Sequence, residues 1–333
     1  MNDAVARSIL NSFPIRTDQV FLEDEYGLSR LYRVEEPSCD GGTYIMDCKE
    51  GIEISCHPSI VGDKLRDKCL VMASYSSRFI KQKYGMQDID YLILVDILRG
   101  GPGYRLAEPL RSIFRDVSFR RVKIRPRYVE PSYMDHSGEK KLIVERTDFK
   151  QMPKEGRALI IMPDTVASGR TMKICFEVLM ARLENLRVSS IVIYGFISEK
   201  FTREIQNIEG KYGISVGVIG IENLTGLSSN NYTMPYYGYD PHYNYSVDRK
   251  LGCLTSVDII RKVCKEYVPS MDEPGDWNTR HSEPEISGPS GIRTHLESSR
   301  MELKKILRMA ELEPYQRNIA LKELEEIERL LSL

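Results

Sequence analysis

Leu159-Ile160-Ile161-Met162-Pro163-Asp164-Thr165-Val166-Ala167-Ser168-Gly169-Arg170-Thr171 is the stretch on which the reading of this chain turns. It opens as a short apolar run of the kind that forms a strand buried on both faces. It breaks into small residues around Gly169 and resumes, from Met172 to Leu179, with helical spacing. A strand, a tight loop of small residues and a helix N-terminus make an anion cradle, because backbone N–H groups point outward and the helix dipole favours negative charge. Ala167, Ser168 and Gly169 are small enough to let a phosphate approach the chain itself. Asp164 does not suit a pure anion site; it points to a ligand that also carries hydroxyls, as a sugar phosphate does. A joint whose small residues serve packing alone would have the same composition.

Working outward, Tyr91-Leu92-Ile93-Leu94-Val95-Asp96-Ile97 reads as a core strand running into Leu98-Arg99-Gly100-Gly101-Pro102-Gly103. Such a turn at a strand's C-terminal end lies where open α/β sheets place their ligands. A helix is expected from about 104 to 114, then a strand over 117–124. Between Arg99 and Arg127 stand nine cations against only Glu108 and Asp116. In a near-neutral chain this is a local basic field suited to a multiply charged ligand, although a solvated helix face explains Arg111 and Arg115. Residues 126–156 are long for a connection between core strands, with a hairpin expected around Ser137-Gly138. Strands over 189–197 and 214–220, a helix over 199–212 and another over 256–267 complete the pattern. Strands alternating with helices predict an α/β fold with a doubly wound, mostly parallel sheet.

Residues Asp164 to Thr171 resemble the phosphoribosyl diphosphate (PRPP) loop of type I phosphoribosyltransferases, and the resemblance extends over roughly residues 55–268. It implies that Thr165, Val166, Ala167, Ser168, Gly169, Arg170 and Thr171 hold the ribose 5-phosphate and that Asp164 holds ribose hydroxyls. The family's acidic pair is incomplete, because Pro163 takes the first place. The uracil phosphoribosyltransferases also pair one acid with one proline, in the opposite order. Ile97-Leu98-Arg99-Gly100-Gly101 is similar to their Ile-Leu-Arg-Ala-Gly, so Arg99, Gly100 and Gly101 would form the diphosphate loop. A guanidinium suits that task, being permanently charged with forked donors. The long segment after 126 takes the place of a lid that closes over PRPP, with Arg125 and Arg127 as candidate diphosphate contacts.

The tyrosine-rich stretch 222–252 takes the place of the family's base-binding hood. Pro241 to Gly252 can be laid on the uracil enzymes' motif without gaps, with Pro241, Asp248, Arg249 and Gly252 matching. His242, Asn244 and Val247 replace its glycines and Tyr245 replaces an aspartate, so uracil specificity does not carry over. Tyr239, Tyr243, Asn244, Tyr245, Asp248 and Arg249 are the candidate hood residues. Aromatic rings there would stack on an acceptor base, or form a structural tyrosine cluster. The resemblance also implies Mg²⁺ bound with PRPP, Asp248 being its candidate ligand, and a homodimer, possibly enlarged through the C-terminal helices.

The remaining chain divides into an N-terminal arm or subdomain (1–55), a linker (269–293) and a helical hairpin (294–333), with the phosphoribosyltransferase-like core and its hood over 56–268. Thr294-His295-Leu296-Glu297 has a capping-box signature and Pro314 opens a second helix. The hairpin has no counterpart in the minimal family fold and must dock on its own domain, a sister subunit or a partner. The 333 residues, 41% hydrophobic and 29% charged with a net charge of −1, describe an ordinary globular protein. No whole-molecule field points to nucleic acid, and no apolar run approaches the roughly 20 residues that cross a bilayer. Met1 to Arg7 show no export signature. Seven cysteines without CxxC spacing argue against a disulfide framework or zinc site, so a reducing, cytoplasmic setting is expected. Two functions are carried forward: phosphoribosyl transfer from PRPP to a nitrogenous base, and PRPP sensing without catalysis. A sugar-phosphate enzyme of another fold is the weaker third.

Overall fold

In the computed structural model, the described residues are 20–23, 29–35, 39–85, 88–130, 136, 138, 140–183, 185–228, 230–234, 255–268, 276–289, 291–308 and 312–333. The candidate hood residues Tyr239, Tyr243, Asn244, Tyr245, Asp248 and Arg249 lie outside them.

Among the described residues nine strands form one sheet: β1 (Val20–Glu23), β2 (Ser29–Val34), β3 (Thr43–Cys48), β4 (Tyr91–Ile97), β5 (Ser118–Tyr128), β6 (Leu142–Asp148), β7 (Gly156–Pro163), β8 (Leu186–Ser198) and β9 (Val216–Thr225). Their order is β1-β2-β3-β9-β8-β7-β4-β5-β6. The six strands from β3 to β5 run parallel, and antiparallel strands flank them at both edges. Period-2 alternation sends side chains to two cores. Ile93, Val95, Ile160, Met162, Ile191 and Ile193 face one side. Leu92, Leu94, Leu159, Ile161, Val192 and Tyr194 face the other. The first side is covered by α4 (Arg170–Met180), α6 (Ile205–Tyr212) and α7 (Val257–Val263), the second by α2 (Gly62–Tyr84) and α3 (Ala107–Ile113). The sheet is therefore doubly wound, as the alternating pattern predicts.

Several local expectations change. Residues 29–48 are not a separate arm: β3 is buried along its whole length and pairs parallel with β9, Thr43 opposite Val218 and Met46 opposite Ile221. The helix expected over 199–212 is broken into α5 (Glu199–Thr202) and α6, the Thr202 hydroxyl bonding back to Glu199 O at 2.7 Å. β9 continues to Thr225, so the first residues assigned to the hood belong to the sheet. The stretch expected as a linker is folded over 276–289, with a 3-10 turn at Asn278–Arg280 and α8 at Pro284–Ser287. Trp277, Thr279, Arg280, His281 and Ile286 are buried there, which a linker does not allow. In the last helical pair, α9 (Gly291–Ile306) begins before Thr294, so Thr294 and Glu297 lie within it rather than at its cap. α10 (Pro314–Leu331) starts at Pro314 as expected, with Glu313 and Gln316 forming a capping box.

The hairpin docks on its own domain. Leu296, Leu303, Ile306, Ala320 and Ile327 share a small core between α9 and α10. The bend between α1 (Lys49–Cys56) and α2 anchors the pair. Ser59 N–H donates to Glu323 Oε1 at 2.7 Å, and His295 Nε2 donates to Pro58 O at 2.9 Å. His57 lies between Glu266 and Glu323, at 3.2 and 3.1 Å. Burial alone would lower its pKa, but the two carboxylates outweigh it and lift the imidazole to about 9. A raised cationic pKa stabilises the fold fully below the usual histidine value, and the contribution fades as pH rises through about 9. The hydrogen bonds to His57 hold both glutamates below their usual range against their burial, so their contribution fades only on acidification. His57→Gln is accordingly expected to lower the urea midpoint at pH 6 and to match the wild type near pH 10. A gap that persists at pH 10 would mean that packing, not charge, is what the variant loses.

Among the described residues the cysteines form no disulfide, and no helix is long and apolar enough to cross a membrane.

Candidate active site

β4 and β7 are neighbours in the parallel centre of the sheet, Leu92 opposite Leu159 and Leu94 opposite Ile161. Their C-terminal loops therefore emerge side by side, Leu98–Gly101 after β4 and Asp164–Gly169 after β7. Together they border a cavity of about 380 Å³. All of Asp164 to Thr171 line it, as do Arg99 and Gly100. Gly101 lies behind, packed on the Pro163 carbonyl.

The β7 loop is held from outside so that its inner side stays open. Val166 N–H donates to Phe196 O at 2.8 Å, Ser198 N–H donates to Val166 O at 2.9 Å, and the Ser198 hydroxyl donates to Ala167 O. Gly169 has φ +77°, and a side chain there would collide with the Phe201 ring. Only glycine satisfies both demands. It caps α4, an 11-residue helix whose first-turn N–H groups have no intrahelical partners and sit at the cavity edge.

Asp164 lies at the junction of the two loops and is 9% exposed. Its backbone N–H donates to Tyr194 O at 3.0 Å, and Gly195 gives the room for that approach. Burial pushes the carboxyl up to about 7, partly offset by the Thr165 backbone N–H. The pocket's other described carboxylate, Asp276, is also held above the usual range by burial, with Thr279 and Arg99 pulling the other way. Among the described residues no group of three or more acidic, histidine or cysteine side chains is arranged to hold a metal ion. A hard divalent cation would thus take one or two carboxylate ligands here and the rest from the ligand and water.

The basic field over Arg99–Arg127 does not converge on this cavity. Among its nine cations only Arg99 reaches the lining. Arg121 pairs with buried Asp96 at 2.6 Å, and Arg105 pairs with Glu283. Arg125 and Arg127, the lid candidates, lie on β5 and pair with Glu145 of β6 at 2.5 and 3.2 Å. The strand runs to Tyr128, well past the expected end at Ile124, because β6 extends the pairing antiparallel. The wall facing the phosphate-type loop comes instead from Tyr128, His136 and Tyr232, whose rings pack at 4.6 and 5.1 Å. Arg170 ties this wall down by donating to Gly138 O at 2.7 Å.

A third wall was not expected from sequence. Asp276, Trp277 and Asn278 line the cavity opposite Asp164. Trp277 donates its indole N–H to Gly100 O at 3.1 Å and stacks on Tyr104 at 4.6 Å. Tyr104 in turn shares a 2.6 Å hydrogen bond with the Thr165 hydroxyl, which links the two loops. Arg99 packs its guanidinium against Gly288, where any side chain would collide with it. The one signal in this stretch was Trp277, the chain's single tryptophan, flanked by an acid and an amide inside a run otherwise rich in turn residues.

Solved structures with similarity to this chain include adenine phosphoribosyltransferases. That of Trypanosoma brucei, in complex with AMP, pyrophosphate and ribose-5-phosphate, is 12% identical over 66% of this chain and 96% of its own, with a TM-score of 0.37. That of Leishmania tarentolae is 12% identical over 57% and 94%, with a TM-score of 0.37. A hypoxanthine phosphoribosyltransferase of Staphylococcus aureus is 18% identical over 46% and 73%, with a TM-score of 0.31. No protein-family model and no curated protein matches the chain. At this level of similarity the functional reading rests on the site's own residues.

Proposed function

We propose that this protein is a phosphoribosyltransferase that moves the 5-phosphoribosyl group from PRPP to a nitrogenous base, releasing diphosphate. The observation that carries the reading is the meeting of two phosphate-type loops around one buried carboxylate in a single cavity. In this assignment residues 165–171 and the α4 N-terminus hold the 5-phosphate. Asp164 holds ribose hydroxyls, and Arg99 with Gly100 faces the diphosphate. Mg²⁺, bound through ligand oxygens with Asp164 or Asp276 as a carboxylate partner, would neutralise the departing diphosphate. The protein's own task is orientation, exclusion of water and stabilisation of positive charge developing on the sugar. An ionised Asp164 suits the last of these, because a carboxylate in a desolvated wall acts strongly on nearby charge.

Arg99 favours a second reading. Its guanidinium is packed on Gly288 and lies near Asp276, so part of its charge is already engaged within the protein. A PRPP-binding regulator without transfer activity would use that engagement as its off state.

The deciding assay is diphosphate release from PRPP and Mg²⁺ with a panel of nitrogenous bases, uracil included, beside a PRPP titration. Release with any base supports the enzyme and identifies its acceptor. Binding without release supports the regulator, and absence of both refutes the PRPP reading.

A further inference from the structure

Behind the loop that follows β4 lies a second cavity, of about 400 Å³, within the range of about 300–1,000 Å³ typical of small-molecule sites. The loop is a shared wall. Leu98 borders both cavities, Arg99 and Gly100 the first, and Gly101 and Pro102 the second. The floor of the second cavity is apolar: Leu94, Leu106 and Ile286 are almost fully buried, and Leu70 and Leu98 are half-buried. Two charged walls flank that floor, with opposite excess. On the sheet, Arg121 and Lys123 stand against the single acid Asp96. Arg121 uses Nε at 2.8 Å and Nη2 at 2.6 Å on one oxygen of Asp96, which leaves Nη1 without a partner among the described residues. Lys123 stands opposite Asp96 in the strand register, is exposed and forms no ion pair among the described residues. On the helical side, Glu108, Glu283 and Glu285 outnumber Arg105, which pairs with Glu283. Arg66, on the same side, is held by Asp63 at 2.8 Å and Asp67 at 3.1 Å. Glu283 Oε2 and Asp96 Oδ1 are buried and accept no hydrogen bond among the described residues, which costs free energy until a donor reaches them.

We infer that this second cavity is a binding site for a small zwitterion with an apolar body, namely an α-amino acid with an apolar side chain. At neutral pH such a molecule carries a carboxylate and an ammonium on either side of one carbon. The carboxylate suits the sheet wall, where Arg121 Nη1 and Lys123 are cationic donors. The ammonium brings three donors and no acceptor, so it suits the glutamate side and supplies the hydrogen that Glu283 Oε2 lacks. The side chain covers the leucine and isoleucine floor and leaves water. A simple anion would meet three glutamates, and a simple cation would meet Arg121 and Lys123. A ligand with both charges fits where neither alone does. The assignment does not depend on what the first cavity binds.

The test is calorimetric titration of L-leucine and L-phenylalanine into the full chain. Their amides, which lack the carboxylate, and 4-methylpentanoate and 3-phenylpropionate, which lack the ammonium, are titrated beside them. At least one amino acid is expected to bind, with its amide and its deaminated acid each weaker on the order of tenfold, the effect of one charge-assisted hydrogen bond. Lys123→Met should weaken that amino acid on the order of tenfold but its amide little, because the amide has no carboxylate for Lys123 to hold. The urea midpoint should stay unchanged, Lys123 being exposed. No binding of either amino acid at millimolar concentration would overturn the site. So would analogues that bind as tightly as the amino acid, or a Lys123→Met variant that weakens amino acid and amide alike or neither. Excess ribose 5-phosphate should leave the amino acid bound; competitive displacement would place it in the first cavity and overturn the assignment. If ribose 5-phosphate does not bind at all, the reading of the first cavity fails and the other arms decide this one.

Discussion

Asp164→Asn is expected to reduce kcat/KM on the order of 100-fold or more while raising the melting temperature at pH 8. The two effects share one cause. Burial lifts the carboxyl from 3.8 to about 7, so the folded protein keeps a proton that the unfolded chain releases within that window. Stability linked to this group therefore falls as pH rises from about 4 to about 7, and above that the charged carboxylate is carried at full cost. A shift of that size corresponds to roughly 4 kcal/mol, an upper figure because asparagine must still satisfy its own donors. A gain of a few degrees at pH 8 and none at pH 4 is what calorimetry should record, with PRPP turnover measured on the same samples. A lower melting temperature at pH 8 would make Asp164 a structural anchor, and unchanged turnover would remove it from the chemistry.

Arg280→Met should have the largest effect on folding. The guanidinium is 1% exposed and donates to Ile54 O at 3.0 Å, His57 O at 3.0 Å and Ile60 O at 3.2 and 3.0 Å. These carbonyls close the end of α1 and the bend into α2, where a helix leaves acceptors without partners. Burial draws the group down to about 10, still well above neutral pH, so it remains a cation against the negative end of the helix. Methionine fills much of the volume but removes the guanidinium from the Ile54 and Ile60 carbonyls, while His57 O keeps the Ile60 N–H at 3.0 Å, at a cost of about 3–5 kcal/mol. Urea denaturation followed by fluorescence suits the test, because Trp277 is the only tryptophan and sits three residues away. The variant is expected to lower the midpoint and shift the native emission to the red, since Trp277 loses its seat against Tyr104. An unchanged midpoint would mean that the segment is held by its apolar residues alone.

What the sequence determined by itself was local or periodic. Leu159 to Met162 and Leu92 to Val95 are continuous apolar runs, and such runs identify strands buried on both faces without knowledge of their neighbours. The small residues from Ala167 to Gly169 between such a run and an amphipathic helix mark a loop whose backbone must be approachable, again a local property. Alternation of these units is enough for the doubly wound class, because right-handed crossovers leave few other arrangements. The tertiary structure alone decided which charges face the ligand. Arg125 and Arg127 look free in the sequence, but antiparallel pairing of β6 sets Glu145 between them, and the partner lies in a separate strand. Residues 276–289 look like a linker because their prolines, glycine and serines obey turn rules and carry no period. Their order comes from long-range anchors: Arg280 on carbonyls some 220 positions earlier, and Trp277 on Gly100. No window of sequence contains both ends of such a contact, so the wall that brings Asn278 opposite Asp164 emerges only when the chain closes on itself.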